Sequence, residues 1–184
     1  MQDELPYVTT GYAALMRTYE ARVLRTCRRL LGNPQDADDV YQEVLIRVFH
    51  GIGKFKLDAS FNTWLFRITH NECMTRLRAR AREQRLFVSD GGQVQPVAAP
   101  EQTELTELGR DIDRVLAQMS FSDREVLALR FVSGLAIADI AQLTGITLSA
   151  TKMRLSRASA RFIALLNPET KAPHIHQACE ETSE

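Results

Sequence analysis

The sequence predicts an all-α protein of two small helical domains joined by a flexible linker. Three observations carry this expectation. Apolar residues recur at three- and four-residue intervals, and no run keeps the two-residue alternation of a half-buried strand. Residues 88–103 combine Gly-Gly, two prolines, Ser, Asp and several Gln, a composition that spaces domains rather than packing inside one. Charge also falls in blocks that change sign along the chain. Residues 1–82 hold 13 basic and 9 acidic side chains, residues 83–113 hold 2 and 7, residues 114–167 hold 7 and 3, and residues 168–184 hold 1 and 4. The formal net charge of zero therefore conceals two blocks of +4. Binding a phosphate backbone needs local positive potential, so the total does not exclude nucleic acid. The expected boundaries are a first domain over 1–83, an acidic linker over 84–105, a second domain over 106–167 and a tail over 168–184.

In chain order, a first helix is expected from about Val8 to Leu31, stopped by Gly32-Asn33-Pro34. Asp36 is read as the cap of a second helix, along which Val40, Val44 and Val48 recur on one face, ending near Gly51 and Gly53. Ser60 can cap a third long helix reaching about Arg82. A second helical block begins around Thr106. Within it Ser122-Asp123-Arg124-Glu125 has the form of a capping box. The residues after Asn167-Pro168 carry no helical pattern.

The most definite motif in the second block is Ala136–Leu143, then Thr144-Gly145-Ile146, then a helix capped by Thr147. A short helix, a Gly-containing turn and a second helix form a helix-turn-helix, whose second helix suits the major groove. Thr151, Leu155, Ala158 and Phe162 form its inward stripe. Lys152, Met153, Ser156 and Arg157 face the other way, with Ser149 at the N-terminal end. That helix holds Lys152, Arg154, Arg157 and Arg161 and no acidic residue. A basic amphipathic helix is often just a solvated face; the preceding helix and turn are what favour DNA.

In the first block, residues 61–82 interleave aromatics with arginines. Phe61, Leu65 and Ile68 make an inward stripe, and Trp64, Phe66, Arg67, Asn71, Arg76, Arg78, Arg80 and Arg82 lie around it. Aromatic faces stack unpaired bases, arginines hold the backbone and an amide can read a base edge. This composition describes a single-strand surface. Against it, a lone Trp at helical spacing usually packs into a core, and Phe66 is as open to that reading as to stacking. The helix before it presents Asp38, Asp39, Gln42 and Glu43 on a polar face. Such a face repels phosphate, so it either meets a protein or is merely solvated.

No catalytic triad, phosphate-cradling Gly loop or metal cluster is visible, so neither an enzyme nor a cofactor is expected. His50 and His70 have no second ligand at metal spacing, and His174, His176 and Cys179 in the tail are read as coincidence. The three cysteines are far apart and suggest a reducing cytoplasm rather than a disulfide framework. No run approaches the ~20 apolar residues of a membrane span, and no signal peptide is expected.

With both blocks in view, the chain resembles the extracytoplasmic-function (ECF, group IV) sigma factors of the sigma-70 family, over about residues 10–82 and 106–166. Asp36-Ala37-Asp38-Asp39-Val40-Tyr41-Gln42-Glu43 is similar to a hallmark of the family's region 2.2, and Trp64-Leu65-Phe66-Arg67-Ile68-Thr69-His70-Asn71 to its W-L-x-x-I-x-x-N. The helix-turn-helix resembles region 4. The resemblance implies that Asp36, Asp38, Asp39, Gln42 and Glu43 bind the clamp helices of the polymerase largest subunit. It implies that the loop from Phe55 to Ser60, including Lys56, captures a flipped base of the −10 promoter element, with Trp64, Phe66, Arg67, Asn71, Arg76 and Arg78 nearby. It further implies that Ser149, Lys152, Met153, Ser156 and Arg157 read −35 duplex while region 4 also contacts the flap of the second-largest subunit. An anti-sigma factor is the implied regulator. The chain departs from the family at Met119-Ser120, where Leu-Pro is common, at Thr75, where Asp is frequent, and at Met153, where a small polar residue is usual. The string Leu148–Arg154 is similar to SigX-type members. The rival readings are a free-standing helix-turn-helix regulator and a partner-sequestering adaptor that uses the acidic helix.

Overall fold

A computed structural model describes residues 5–55, 60–89 and 107–167. Every regular element in them is helical. Helix α1 spans Leu5–Leu31, α2 Pro34–Ile52, α3 Phe61–Ser89, α4 Glu107–Ala117, α5 Phe121–Leu127, α6 Ile137–Thr144 and α7 Leu148–Leu166.

Local chemistry sets the boundaries. Gly32 adopts φ +67°, the left-handed conformation open to a residue without a Cβ, and its N–H donates to the Arg28 carbonyl at 2.9 Å to close α1. Asn33, not Asp36, caps α2. Its backbone is extended (φ −125°, ψ 123°), and its side chain accepts from the Asp36 N–H at 3.1 Å. Pro34 occupies the first helical turn, where a missing N–H costs nothing, and this moves Asp36 inside the helix. Ser60 caps α3 as expected, its Oγ accepting from the Thr63 N–H at 3.1 Å. The expected capping box is displaced in the same way as at α2: Ser120 accepts from the Asp123 N–H at 3.2 Å, so Ser122 lies within the first turn. Two serines two residues apart compete for this role, and the extended backbone at Ser120 decides it. Helix α3 continues through residues 84–89, beyond the expected start of the linker. Glu83 to Ser89 contains neither Gly nor Pro, so nothing breaks the helix there.

Helices α1, α2 and α3 form a bundle around Val23, Cys27, Leu30, Val44, Val48 and Leu65, all fully buried. Tyr12 ties α1 to α2 by donating to the Leu45 carbonyl at 2.6 Å, and burial pushes its phenol pKa upward. The second unit packs α4 to α7 around Val126, Leu129, Leu135, Ile140 and Ala158. After α5 the backbone widens: the Ser133 N–H reaches back five residues to the Ala128 carbonyl at 3.0 Å. The chain then reverses at Gly134, whose φ is +67°. The two units are not held apart. Helices α1 and α3 meet α5, the widened turn and α6, and the buried apolar side chains of both units join in one cluster.

Candidate nucleic-acid interface

The helix-turn-helix forms at the expected residues. Helix α6 ends on Gly145 (φ +71°), and Thr147 caps α7 by accepting from the Ala150 N–H at 3.2 Å. Thr151 and Ala158 are buried with Leu155 and Phe162 partly so, which turns the other face outward. Ser149, Lys152, Met153, Ser156 and Arg157 are all exposed on it. The structure therefore brings the five residues onto one open surface. Arg161, further along, is instead paired with Asp123.

The candidate surface on α3 is assembled differently. Phe66 is fully buried, with the Arg22 guanidinium 5.1 Å from its ring centroid, so it serves the core and does not present a stacking face. Trp64 is partly buried and packs with Phe55 (ring centroids 5.1 Å apart) and Phe61 (5.6 Å). Gly51 at the end of α2 makes room for it, since a Cβ there would stand 3.0 Å from the indole. Phe55 and Ser60 thus lie beside the start of α3, while Lys56 is outside the described residues. Arg67, Asn71 and Arg78 are exposed, and Arg67 donates to the Gln142 side chain at 3.4 Å.

Arg76 points the other way. It donates through Nε and Nη2 to Asp36 at 2.9 and 2.5 Å, and that hydrogen bond raises its pKa. Arg80 approaches the second Asp36 oxygen at 3.6 Å. Asp36 is buried, so it anchors α2 to α3 and does not belong to the exposed acidic edge. That edge consists of Asp38, Asp39, Gln42 and Glu43, with Asp38 3.5 Å from Arg28. One turn on, Ile46 and Phe49 are exposed large apolar groups that continue the same face. Sequence reasoning missed them. The available signal was two apolar residues outside the Val40-Val44-Val48 stripe, a departure that single exposed apolar residues often show for no reason.

His70 is buried and hydrogen-bonded through Nε2 to Glu125 at 2.8 Å. Among the described residues no group of three or more His, Cys, Asp and Glu could hold a metal, and no helix is long and apolar enough to cross a membrane. His174, His176 and Cys179 lie outside the described residues.

Two family models match the chain, sigma-70 region 2 over residues 15–83 and sigma-70 region 4 over residues 109–162. The ECF RNA polymerase sigma factor SigM of Mycobacterium tuberculosis is 31% identical over 156 residues, covering 85% of this chain and 77% of SigM. The ECF RNA polymerase sigma factor SigW of Bacillus subtilis is 26% identical over 157 residues, covering 80% of this chain and 84% of SigW. Among solved structures, the sigma factor RpoE of Bartonella quintana, in complex with the anti-sigma factor NepR, is 27% identical with a TM-score of 0.70, covering 85% of this chain and 97% of RpoE. These similarities disfavour a free-standing helix-turn-helix regulator, and the chain belongs to the extracytoplasmic-function sigma factors of the sigma-70 family.

Proposed function

We propose that this sigma factor docks on core RNA polymerase through the exposed edge of α2 and directs it to promoters through α3 and α7. The carrying observation is the division of labour along one chain. An acidic edge that repels phosphate stands beside a basic aromatic helix, and an open basic recognition helix follows in a second unit. Asp38, Asp39, Gln42 and Glu43, extended by Ile46 and Phe49, offer the largest polymerase subunit charge and an apolar anchor together. Lys152 and Arg157 hold −35 phosphates and base edges, with Ser149, Met153 and Ser156 between them, and region 4 also meets the flap of the second-largest subunit. Phe55, Ser60, Trp64, Arg67, Asn71 and Arg78 line the path of the −10 strand. Extruding a −10 base costs a few kcal/mol, which stacking and pocket contacts offset. No covalent chemistry is assigned to the chain, and it works in the cytoplasm.

An anti-sigma factor is the proposed regulator, supported by the NepR complex of the Bartonella RpoE. The string Leu148–Arg154 supports a place near SigX-type members. Transcription with purified core polymerase on a genomic library, with RNA 5′ ends sequenced, tests the reading. One shared motif pair upstream of the start sites is expected; only random starts, with tight duplex binding by the free chain, would sink it. Asn71→Ala should slow open-complex formation more than initial duplex binding, and equal losses in both would remove Asn71 from melting.

A further inference from the structure

The middle of the open α7 face carries no charge. Successive side chains of a helix turn through about 100°. On that spacing Met153 lies about 180° round from the mean direction of the stripe formed by Thr151, Leu155, Ala158 and Phe162. It therefore stands on the crest of the helix. Ser149, Ser156 and Ala160 share that crest and are exposed with it. Among these four Met153 is the one long side chain, and it is 50% exposed. Lys152 stands on one flank of the crest and Arg157 on the other. A recognition helix in the major groove sets its N-terminal turns against the base edges, and cations beside them reach phosphates. The group that α7 pushes furthest toward the bases is then a thioether, which donates no hydrogen bond and accepts only weakly.

We infer that Met153 is a specificity-determining residue that selects a thymine in the −35 element through the C5-methyl group. This rests on the −35 reading proposed above for α7. Of the groups that base pairs display in the major groove, the thymine methyl is the apolar one. Pressed against Met153, the O6 and N7 of guanine or the amino group of cytosine would lose water and gain no partner. A thymine methyl loses nothing there and is itself removed from water. The selection thus combines an attraction for the methyl with a penalty on the polar edges of a G·C pair. A thioether on a flexible chain follows the methyl without demanding one fixed geometry, as a hydrogen bond would. Ser149 and Ser156 stand on either side of Met153 along the crest, and their hydroxyls can donate to or accept from either kind of base pair. The sharpest discrimination on this face therefore falls at the pair beneath Met153.

The test uses the full chain with core polymerase and promoter duplexes carrying the −35 element mapped from RNA 5′ ends. Each −35 thymine in turn, on either strand, is replaced by deoxyuridine, which removes the methyl and leaves every hydrogen-bonding group in place. At one position the wild-type holoenzyme should bind about fourfold more weakly, the effect of one buried carbon. Met153→Ala should bind the thymine and deoxyuridine duplexes equally at that position, which isolates the pairwise contact from any change in DNA shape. Met153→Leu, which keeps an apolar group, should retain the discrimination, so the contact stays testable even where the Ala variant binds poorly. Equal losses on deoxyuridine replacement in wild type and Met153→Ala would assign the effect to DNA shape and overturn the contact. No thymine at which the methyl matters to the wild type would overturn it as well, with the sigma function intact in both cases. Loss of core polymerase binding by Met153→Ala would give the side chain to a protein partner instead. Absence of promoter-specific RNA from the wild-type chain with core would overturn the underlying reading and the methyl contact with it.

Discussion

Helices α3 and α7 are both long, basic and amphipathic, and on composition α3 has the stronger claim to bind nucleic acid. Their surroundings reverse that order. Among the described residues the outward face of α7 is left exposed, so Ser149, Lys152, Met153, Ser156 and Arg157 stand together on one open surface. Helix α3 is packed on several sides: Phe66 is in the core, Arg76 and Arg80 hold Asp36, and its first turns engage the other unit. Helix α3 spends Phe66, Arg76 and Arg80 on packing, whereas α7 confines its packing to one stripe and to the Arg161–Asp123 pair and leaves its opposite face exposed. The density of chemically suggestive residues is therefore a poor guide to which of them face a ligand.

The sharpest break in this contrast comes from Phe66→Ala. A core position predicts a loss of about 3–5 kcal/mol in urea-unfolding stability, whereas an exposed stacking residue would lose about 0.5 kcal/mol or less. A small loss would return Phe66 to the reading surface. Next in size is the pair Asp36→Asn and Asp39→Arg. Removing the charge that holds Arg76 and Arg80 should cost about 1–3 kcal/mol of stability, with the folded fraction still binding polymerase normally. Asp39→Arg should do the opposite, abolishing polymerase binding at unchanged stability, and matching effects for the two would erase the line between anchor and docking edge. On α7, Lys152→Ala or Arg157→Ala should leave unfolding within about 0.5 kcal/mol of wild type. Each should lower the salt slope of −35 duplex binding by about one; an unaltered slope would mean that the side chain does not meet a phosphate.

The smallest effect concerns Cys73. Its thiol is pushed well above the ordinary range, first by its hydrogen bond with Cys27 and then by burial. A raised pKa suppresses the reactive thiolate at neutral pH, and the loss of reactivity reverses only as pH climbs toward the shifted value. Cys73 should therefore resist a thiol-specific reagent at pH 7 in the native state and react on unfolding. Fast native labelling would show that α1 and α3 part readily enough to expose the Cys73 thiol.

Much of this was legible in the residues alone. The helix-turn-helix, its Gly145 turn, the Thr147 cap and the inward stripe of α7 were readable because each is a local property of a few consecutive residues. So were the Ser60 cap, the end of α1 and the apolar face of α2. The errors arose where two local solutions compete or where partners are distant in sequence. Asn33 and Ser120 displaced Asp36 and Ser122 as caps because only one nearby residue can hold the extended backbone a cap needs. Asp36 looked like one more member of an acidic run, since its partners lie 40 and 44 residues away at Arg76 and Arg80.

The sequence accounts for the helical class and the two-unit organisation, which follow from short-range periodicity, and its motifs carry the resemblance to the family and name the residues proposed to read DNA. Tertiary structure decided which of those residues remain available. Phe66 turned inward, Arg76 and Arg80 closed on Asp36, and the Ser133-Gly134 reversal settled on Arg22 and Asn62. Burial and pairing depend on what the rest of the chain brings to the same place. Helical periodicity sets the face on which a side chain lies, and long-range packing sets what that face meets.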